Sequence, residues 1–253
     1  MARFSNKVIV ITGAASGIGE GAARRFAEEG ATLVLGDIDK AALDKLAGEL
    51  HGTVETREID VSDRAACEAL VQAAIDRFSR IDVLVNDAGV DHLGKVDEGD
   101  FSEFTKVIET DLYGVVHVSR AAIAHLRQSK GCIVNVSSVS GLGGDWNHSF
   151  YCAAKGAVSN FTRALAMDEA KHGVRVNAVN PSLTYTALTA GMKKQPELIA
   201  KFEERIPMGR GAQPADISGA IAFLASDDAH YVTGVNLPVD GGLTASNGQP
   251  PLS

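Results

Sequence analysis

Short runs of β-branched residues, apolar at every position, alternate along this chain with longer Ala-rich amphipathic stretches, and that pattern leaves few folds open. Val8-Ile9-Val10-Ile11 reads as a strand, Gly17 to Glu29 as a helix stopped at Gly30, and Thr32 to Leu35 as the next strand. A helix over about Lys40–Leu50 follows, then a strand from Glu55 to Asp60 and a helix, opened by Ser62 and Asp63, that runs to Phe78. Val83 to Val85, Ile133 to Val136, Val174 to Val179 and Val235 to Val239 supply further strands, separated by helical patterns around Phe101–Arg127, Phe150–Lys171 and Pro214–Ala225. A strand with one wet face alternates apolar with polar residues; these do not, so both faces are covered. About seven such strands joined by crossover helices predict an α/β fold, a doubly wound parallel sheet with helices on both faces. No linker, repeat or low-complexity tract interrupts it, which predicts one domain over residues 1–253. Only the tail after Asp240 looks irregular.

Bulk properties remove several classes of function. The formal net charge is -8, and no block of Lys or Arg appears, so a phosphate-tracking nucleic-acid surface or an anionic-membrane surface is not expected. The cysteines Cys67, Cys132 and Cys152 lack metal-type or redox-type spacing, and the His residues are scattered; no metal site is expected. Reduced thiols, an N-terminus without an apolar signal core and no membrane-length apolar run predict a cytoplasmic protein. Cys152 adjoins Tyr151, but a small helix-face Cys usually packs rather than reacts.

Two constellations carry chemistry. The first strand runs into Thr12-Gly13-Ala14-Ala15-Ser16-Gly17-Ile18-Gly19 and then a helix. In that context Gly13, Ser16, Gly17, Ile18 and Gly19 form a turn whose missing side chains let backbone approach a pyrophosphate at the positive end of the helix. Asp37 closes the second strand about twenty residues on, where a carboxylate accepts hydrogen bonds from ribose hydroxyls and repels a 2′-phosphate. No Arg or Lys stands at Ser16 or Ile38 to neutralise one, so NAD is expected over NADP. The second constellation is Tyr151 and Lys155, four apart on one helix face. The ammonium is expected to pull the phenol's pKa down from ~10 towards the range useful for proton transfer. Ser138, at the end of the fifth strand, can orient a substrate oxygen; Ser137 is its competitor and is expected to support it.

Thr12-Gly13-x-x-x-Gly17-x-Gly19, Asp60-Val61, Asn86-Asp87-Ala88-Gly89, Ser138, Tyr151-x-x-x-Lys155 and Asn180-Pro181, in this order over nearly the whole chain, resemble the motif set of single-domain, NAD-type short-chain dehydrogenases/reductases. The resemblance implies a Rossmann-like fold with a dinucleotide-binding part over about 1–135 and a catalytic, substrate-binding part over about 136–253. It implies that Asp60 and Val61 contact adenine and that Asn86, Ala88 and Gly89 border the adenosine ribose. Pro181, Thr184 and Thr186 then surround the nicotinamide, and Lys155 also holds its ribose. It implies an oxidoreductase moving a hydride between a secondary alcohol and its ketone, with Tyr151 as acid/base, and assembly as a homotetramer.

Three positions depart from the family pattern. Asp111 stands where the family has the Asn whose backbone carbonyl completes a proton relay; the relay is expected to persist, with Asp111 adding charge near Lys155 or lying plainly on the helix surface. Asp87 replaces a second Asn, leaving its hydrogen bonds open. Ser182 replaces a Gly and is expected to narrow the nicotinamide pocket or donate a hydrogen bond there. The loop Gly141 to His148 must edge the substrate pocket, and His148 could face a substrate oxygen or solvent. Gly141–Trp146, Tyr151–Val158, Asn180–Leu183 and Pro238–Pro250 are similar to bacterial 2,3-butanediol (acetoin) dehydrogenases, which implies a small vicinal diol or hydroxyketone. A 3-oxoacyl thioester reductase or cyclic-alcohol dehydrogenase is the alternative, and a silent nicotinamide-binding regulator or a sugar-nucleotide epimerase lies further off, because both Tyr151 and Lys155 are present and the glycine spacing is wrong for the latter.

Overall fold

A computed structural model describes residues 2–249. Seven parallel strands, β1 (Val8–Thr12), β2 (Thr32–Asp37), β3 (Val54–Glu58), β4 (Val83–Asn86), β5 (Cys132–Val136), β6 (Arg175–Pro181) and β7 (Asn236–Val239), form one sheet in the order β3-β2-β1-β4-β5-β6-β7. The continuous apolar runs have the meaning expected of them. Ile9, Ile11, Leu33, Leu35 and Val134 enter one core, with α1 (Gly17–Glu28) and α8 (Pro214–Ala225) contributing Phe26, Ile217 and Ile221. Val8, Val10, Val34, Leu84 and Ile133 enter the opposite core, covered by α3 (Arg64–Phe78) and α5 (Gly114–Ser129) through Leu70, Val71, Val118 and Leu126. Fully burying each Ile, Leu or Phe contributes about 1.5–3 kcal/mol, so both layers stabilise the sheet between them.

The edge strands β3 and β7 are the exceptions. Their residues are half-buried or exposed, and β3 ends at Glu58 rather than continuing to Asp60. Two helical features also differ from the sequence expectation. The amphipathic helix α7 (Pro196–Arg205), with Pro at its first turn, was not anticipated. The single helix expected over Phe101–Arg127 is three pieces: α4 (Phe101–Val107), a π-helical turn over Ile108–Tyr113, and α5. A π turn inserts an extra residue and rotates the chain, and here it carries Asp111 inward to complete burial. The remaining helices are α2 (Lys40–Glu49) and α6 (Ser149–Glu169).

Strand order reverses between β1 and β4, whose ends pair Thr12 with Asn86. Chains leave such a switch point in opposite directions, which opens a crevice at the carboxyl edge of the sheet. No helix among the described residues is long and apolar enough to cross a membrane.

Candidate active site

The crevice at the switch point is a cleft of about 590 Å³. Its near wall is the turn between β1 and α1. Gly13 has φ +68, and a Cβ there would sit 2.6 Å from the Ala88 nitrogen, so only Gly lets the turn pack on the end of β4. A Cβ on Gly19 would lie 2.2 Å from the Gly13 carbonyl oxygen. The start of α1 is also left open. Asp39, Asp63 and Asp100 each accept a backbone N–H at the start of their helices, whereas Ser16 makes no such side-chain bond at the start of α1. The Ser16 side chain thus leaves the start of α1 uncapped, and Gly17 and Ile18 line the cleft where an anion would meet their N–H groups, while Gly19 N–H faces the Asp87 carboxylate. Asp37 reaches back across the turn: its carboxylate accepts from Ala15 N (2.9 Å) and Asp39 N (3.0 Å) and still lines the cleft. An uncapped helix start, a glycine cradle and a carboxylate opposite fit a dinucleotide.

At the far end stand the groups on β5 and α6. Ser138 follows β5, and its carbonyl accepts from Asn180 Nδ2 on β6 (2.8 Å), which fixes the strand end. The Ser138 hydroxyl stands beside the Tyr151 phenol and favours its ionised form. Lys155, 4% exposed, lies with Nζ 5.6 Å from the Tyr151 ring centre, 3.2 Å from the Val136 carbonyl and 3.0 Å from Asp111 Oδ2. Asp111 Oδ1 accepts from Val90 N at 2.8 Å. The exposed-surface alternative for Asp111 is thereby excluded: it is fully buried and paired with the lysine.

The electrostatics correct one expectation. Burial pushes the Tyr151 phenol above its ordinary pKa; Lys155 and Ser138 pull it down, but Asp111 and Asp91 push it up again. Lys155 acts in the anticipated sense, and burial with two carboxylates outweighs it. Burial alone would also lower Lys155, yet Asp111, Tyr151 and Asp87 reverse this and hold it cationic above its usual range. Asp111 is itself raised, by burial, against the pull of Lys155 and the Val90 N–H.

Asp87 is the third acid of this cluster. It bridges β4 to the glycine turn: Thr12 Oγ1 accepts from Asp87 N (3.3 Å) and Ala88 N (3.4 Å), while the carboxylate is stabilised by Gly19 N–H. Burial lifts its pKa to about 7, with Lys155 pulling down and Asp37 and Asp111 adding to the rise. A raised carboxyl binds its proton in the folded chain where the unfolded chain has released it, so it costs stability as pH climbs from about 4 to about 7. Asp87→Asn is expected to raise stability at pH 8 by about 1–2 kcal/mol and to change it little at pH 4, read by denaturant melts at both values. Equal effects at the two pH values would remove Asp87 from the titrating set.

Most of the anticipated residues meet in this one cleft: Gly13, Ser16, Gly17, Ile18, Asp37, Asp60, Val61, Ala88, Gly89, Asp111, Ser138, Tyr151, Lys155, Pro181, Thr184 and Thr186 line it. Gly19 sits behind the turn. Asn86 does not border the cleft either: it is buried, its Nδ2 donating to Asn135 Oδ1 (2.8 Å) and Ser119 Oγ (3.2 Å), because β4 alternates sides and Asn86 points into the layer of α5. Ser137 does not support Ser138. Its hydroxyl engages the Lys155 carbonyl (3.0 Å) and Ser159 Oγ (2.8 Å), locking α6 onto β5. Ser182 lines the cleft as expected, while its hydroxyl donates to the Asp240 carbonyl (3.2 Å) and ties the β6 loop to the C-terminal segment, of which Pro250 onward lies outside the described residues. Burial raises the Cys152 thiol above its ordinary pKa, which disfavours the thiolate. The sequence gives Asn135 and Thr162 no role, although an Asn inside an otherwise apolar strand is a visible signal of the buried Asn86–Asn135–Thr162 ladder.

The family model for enoyl-(acyl carrier protein) reductase matches residues 13–244. Meso-2,3-butanediol dehydrogenase of Serratia marcescens is 51% identical over 251 residues, covering 99% of each chain. Cis-4-hydroxycyclohexanecarboxylate dehydrogenase of Sinomonas cyclohexanicum is 43% identical over 248 residues, covering 96% of this chain and 98% of its own. The crystal structure of levodione reductase superposes with a TM-score of 0.93 at 35% identity, covering 96% of this chain and all of the other. With the glycine turn, the Ser138–Tyr151–Lys155 cluster and these matches in hand, the chain belongs to the short-chain dehydrogenase/reductase family of nicotinamide-dependent oxidoreductases.

Proposed function

We propose that the protein is an NAD-dependent dehydrogenase/reductase acting on a small vicinal diol and its hydroxyketone, such as 2,3-butanediol and acetoin. One observation carries the reaction type: a single cleft has the uncapped start of α1 and Asp37 at one end and Ser138, Tyr151 and Lys155 at the other. NAD, when bound, supplies the hydride acceptor. In this reading Tyr151 takes the alcohol proton, Ser138 holds the substrate oxygen and stabilises the charge that develops on it, and Lys155 offsets the cost of forming a buried phenolate. In the reductive direction Tyr151 gives the proton back. Asp111 is a positioning residue, holding the ammonium beside the phenol.

NAD is favoured over NADP because Asp37 borders the cleft and would lie against a 2′-phosphate with no cation at Ser16 or Ile38 to offset it. The diol assignment is supported by the 51% identity to the Serratia enzyme over the full chain. The relative that acts on a hydroxycyclohexane acid supports a cyclic alcohol as the second reading. A homotetramer in the cytoplasm belongs to the same proposal. The test is NADH formation from each butanediol stereoisomer and from a cyclic secondary alcohol, with both cofactors. The expected result is kcat/KM at least about tenfold higher with NAD than NADP and highest on one diol isomer. Turnover confined to the cyclic alcohol rejects the diol, and an equal or higher rate with NADP rejects the role of Asp37.

A further inference from the structure

His148 occupies an unusual place between two loops that flank Tyr151. Its Nε2 lies 3.4 Å from Asp91 Oδ2 in the loop after β4, and its Nδ1 lies 2.9 Å from the Trp146 carbonyl oxygen and 3.9 Å from Asp145 Oδ2 in its own segment. The backbones of the two loops join at the same point: Gly94 pairs with His148, and Gly94 N donates to the Asn147 carbonyl at 2.7 Å. From Asp145 the contacts continue inward. Ser140 Oγ donates to Asp145 Oδ2 (3.1 Å), and Ser140 N donates to Ser138 Oγ (3.1 Å). The His148 ring also meets the Tyr151 ring edge-on, with centres 6.1 Å apart. Asp91, its main partner, is close enough to push the phenol of Tyr151 upward.

We propose that His148, as a cation, is a positioning residue for the proton-transfer pair: it masks the Asp91 charge from Tyr151 and, through Asp145 and Ser140, holds the Ser138 hydroxyl in place. The groups facing it are Asp91 from the loop after β4, Asp145 from its own segment and Tyr151 from α6. Lys155 and Asp111 stand behind the tyrosine. The nearby His92 is engaged elsewhere, 3.7 Å from Glu103 and stacked on Phe150. The Asp91 hydrogen bond leads the causes that raise the imidazole to about 9, so the cation is present throughout neutral pH and is lost as pH rises through that value.

This role predicts displacements of opposite sign, which a scaffold residue would not produce. In His148→Gln, Asp91 is unmasked and pushes Tyr151 further up, so the rise of alcohol oxidation with pH moves to higher pH by about half a unit or more. In Asp91→Asn the push is gone, and the same rise moves to lower pH. The double variant is displaced to lower pH like Asp91→Asn, because the carboxylate that the histidine masks is gone. Imidazole NMR titration supplies a readout besides turnover: one histidine with a midpoint near 9 in the parent, absent from His148→Gln and moved down in Asp91→Asn. The inference rests on the proposed role of Tyr151 but not on the diol, since any alcohol the parent oxidises serves for the assay. Profiles that are scaled without displacement, displacements of the same sign, or no histidine titrating above about pH 8 would each overturn it.

Discussion

Tyr151→Phe lowers kcat for alcohol oxidation by about 10²–10⁴-fold while NADH affinity stays within about twofold of the parent. The change deletes one oxygen and keeps the ring that meets His148 and lies 5.6 Å from the Lys155 ammonium, so packing around the site is preserved. What disappears is the phenol oxygen that stands beside Ser138 at this end of the cleft. Because burial and two carboxylates hold that phenol above its ordinary pKa, the parent rate of oxidation should rise with pH through and beyond neutrality, and the variant's residual rate should lose that dependence. Steady-state rates from pH 6 to 10, with NADH binding followed by fluorescence, make the check. A variant within tenfold of the parent removes Tyr151 from proton transfer.

Asp111→Ala is expected to destabilise the protein by about 3–5 kcal/mol, the cost of leaving one member of a buried ion pair without its partner. Asp111 is fully buried and Lys155 nearly so; once the carboxylate is gone the ammonium keeps only the Val136 carbonyl within hydrogen-bond reach, and Val90 N loses its acceptor. For a chain of this size that corresponds to a melting temperature lower by roughly 6–20 °C. Asp111→Asn keeps an acceptor for Val90 N and should cost less. It separates charge from scaffold: Tyr151 and Asp87 still favour the charged lysine, while the upward push of Asp111 on Tyr151 is removed. The rise of oxidation with pH should therefore move to lower pH in Asp111→Asn. A melting point within about 2 °C of the parent for the Ala variant, or an unmoved profile for the Asn variant, would reduce Asp111 to a packing residue.

Much of this architecture was legible in the residues because it depends on local or one-dimensional rules. Continuous β-branched runs mean strands covered twice, and all seven appear with ends shifted by a residue or two. The glycine turn was legible because close backbone approach admits only Gly at Gly13 and Gly19. Tyr151 and Lys155 were legible because helical spacing alone puts them on one face. Helix α7 carries a signal in Pro196 at its first turn, but its surrounding polar residues mask the apolar stripe.

Other features have no one-dimensional signature. Whether Asp111 faces water or Lys155 is decided by a π-helical turn, which depends on how α4 and α5 pack and not on their propensities. The net direction of the Tyr151 shift is a sum over burial, three charges and the Ser138 hydroxyl, and a sequence reveals only the nearest of them. Asp91 and His148 are more than fifty positions apart, and only the joining of two loops above the cleft sets them together. Sequence therefore determined the sheet, the crevice and the candidate reacting groups, since these follow from periodicity and spacing. Tertiary structure decided the charge each group works against, because electrostatic environment is set by distance in space and by exclusion of water.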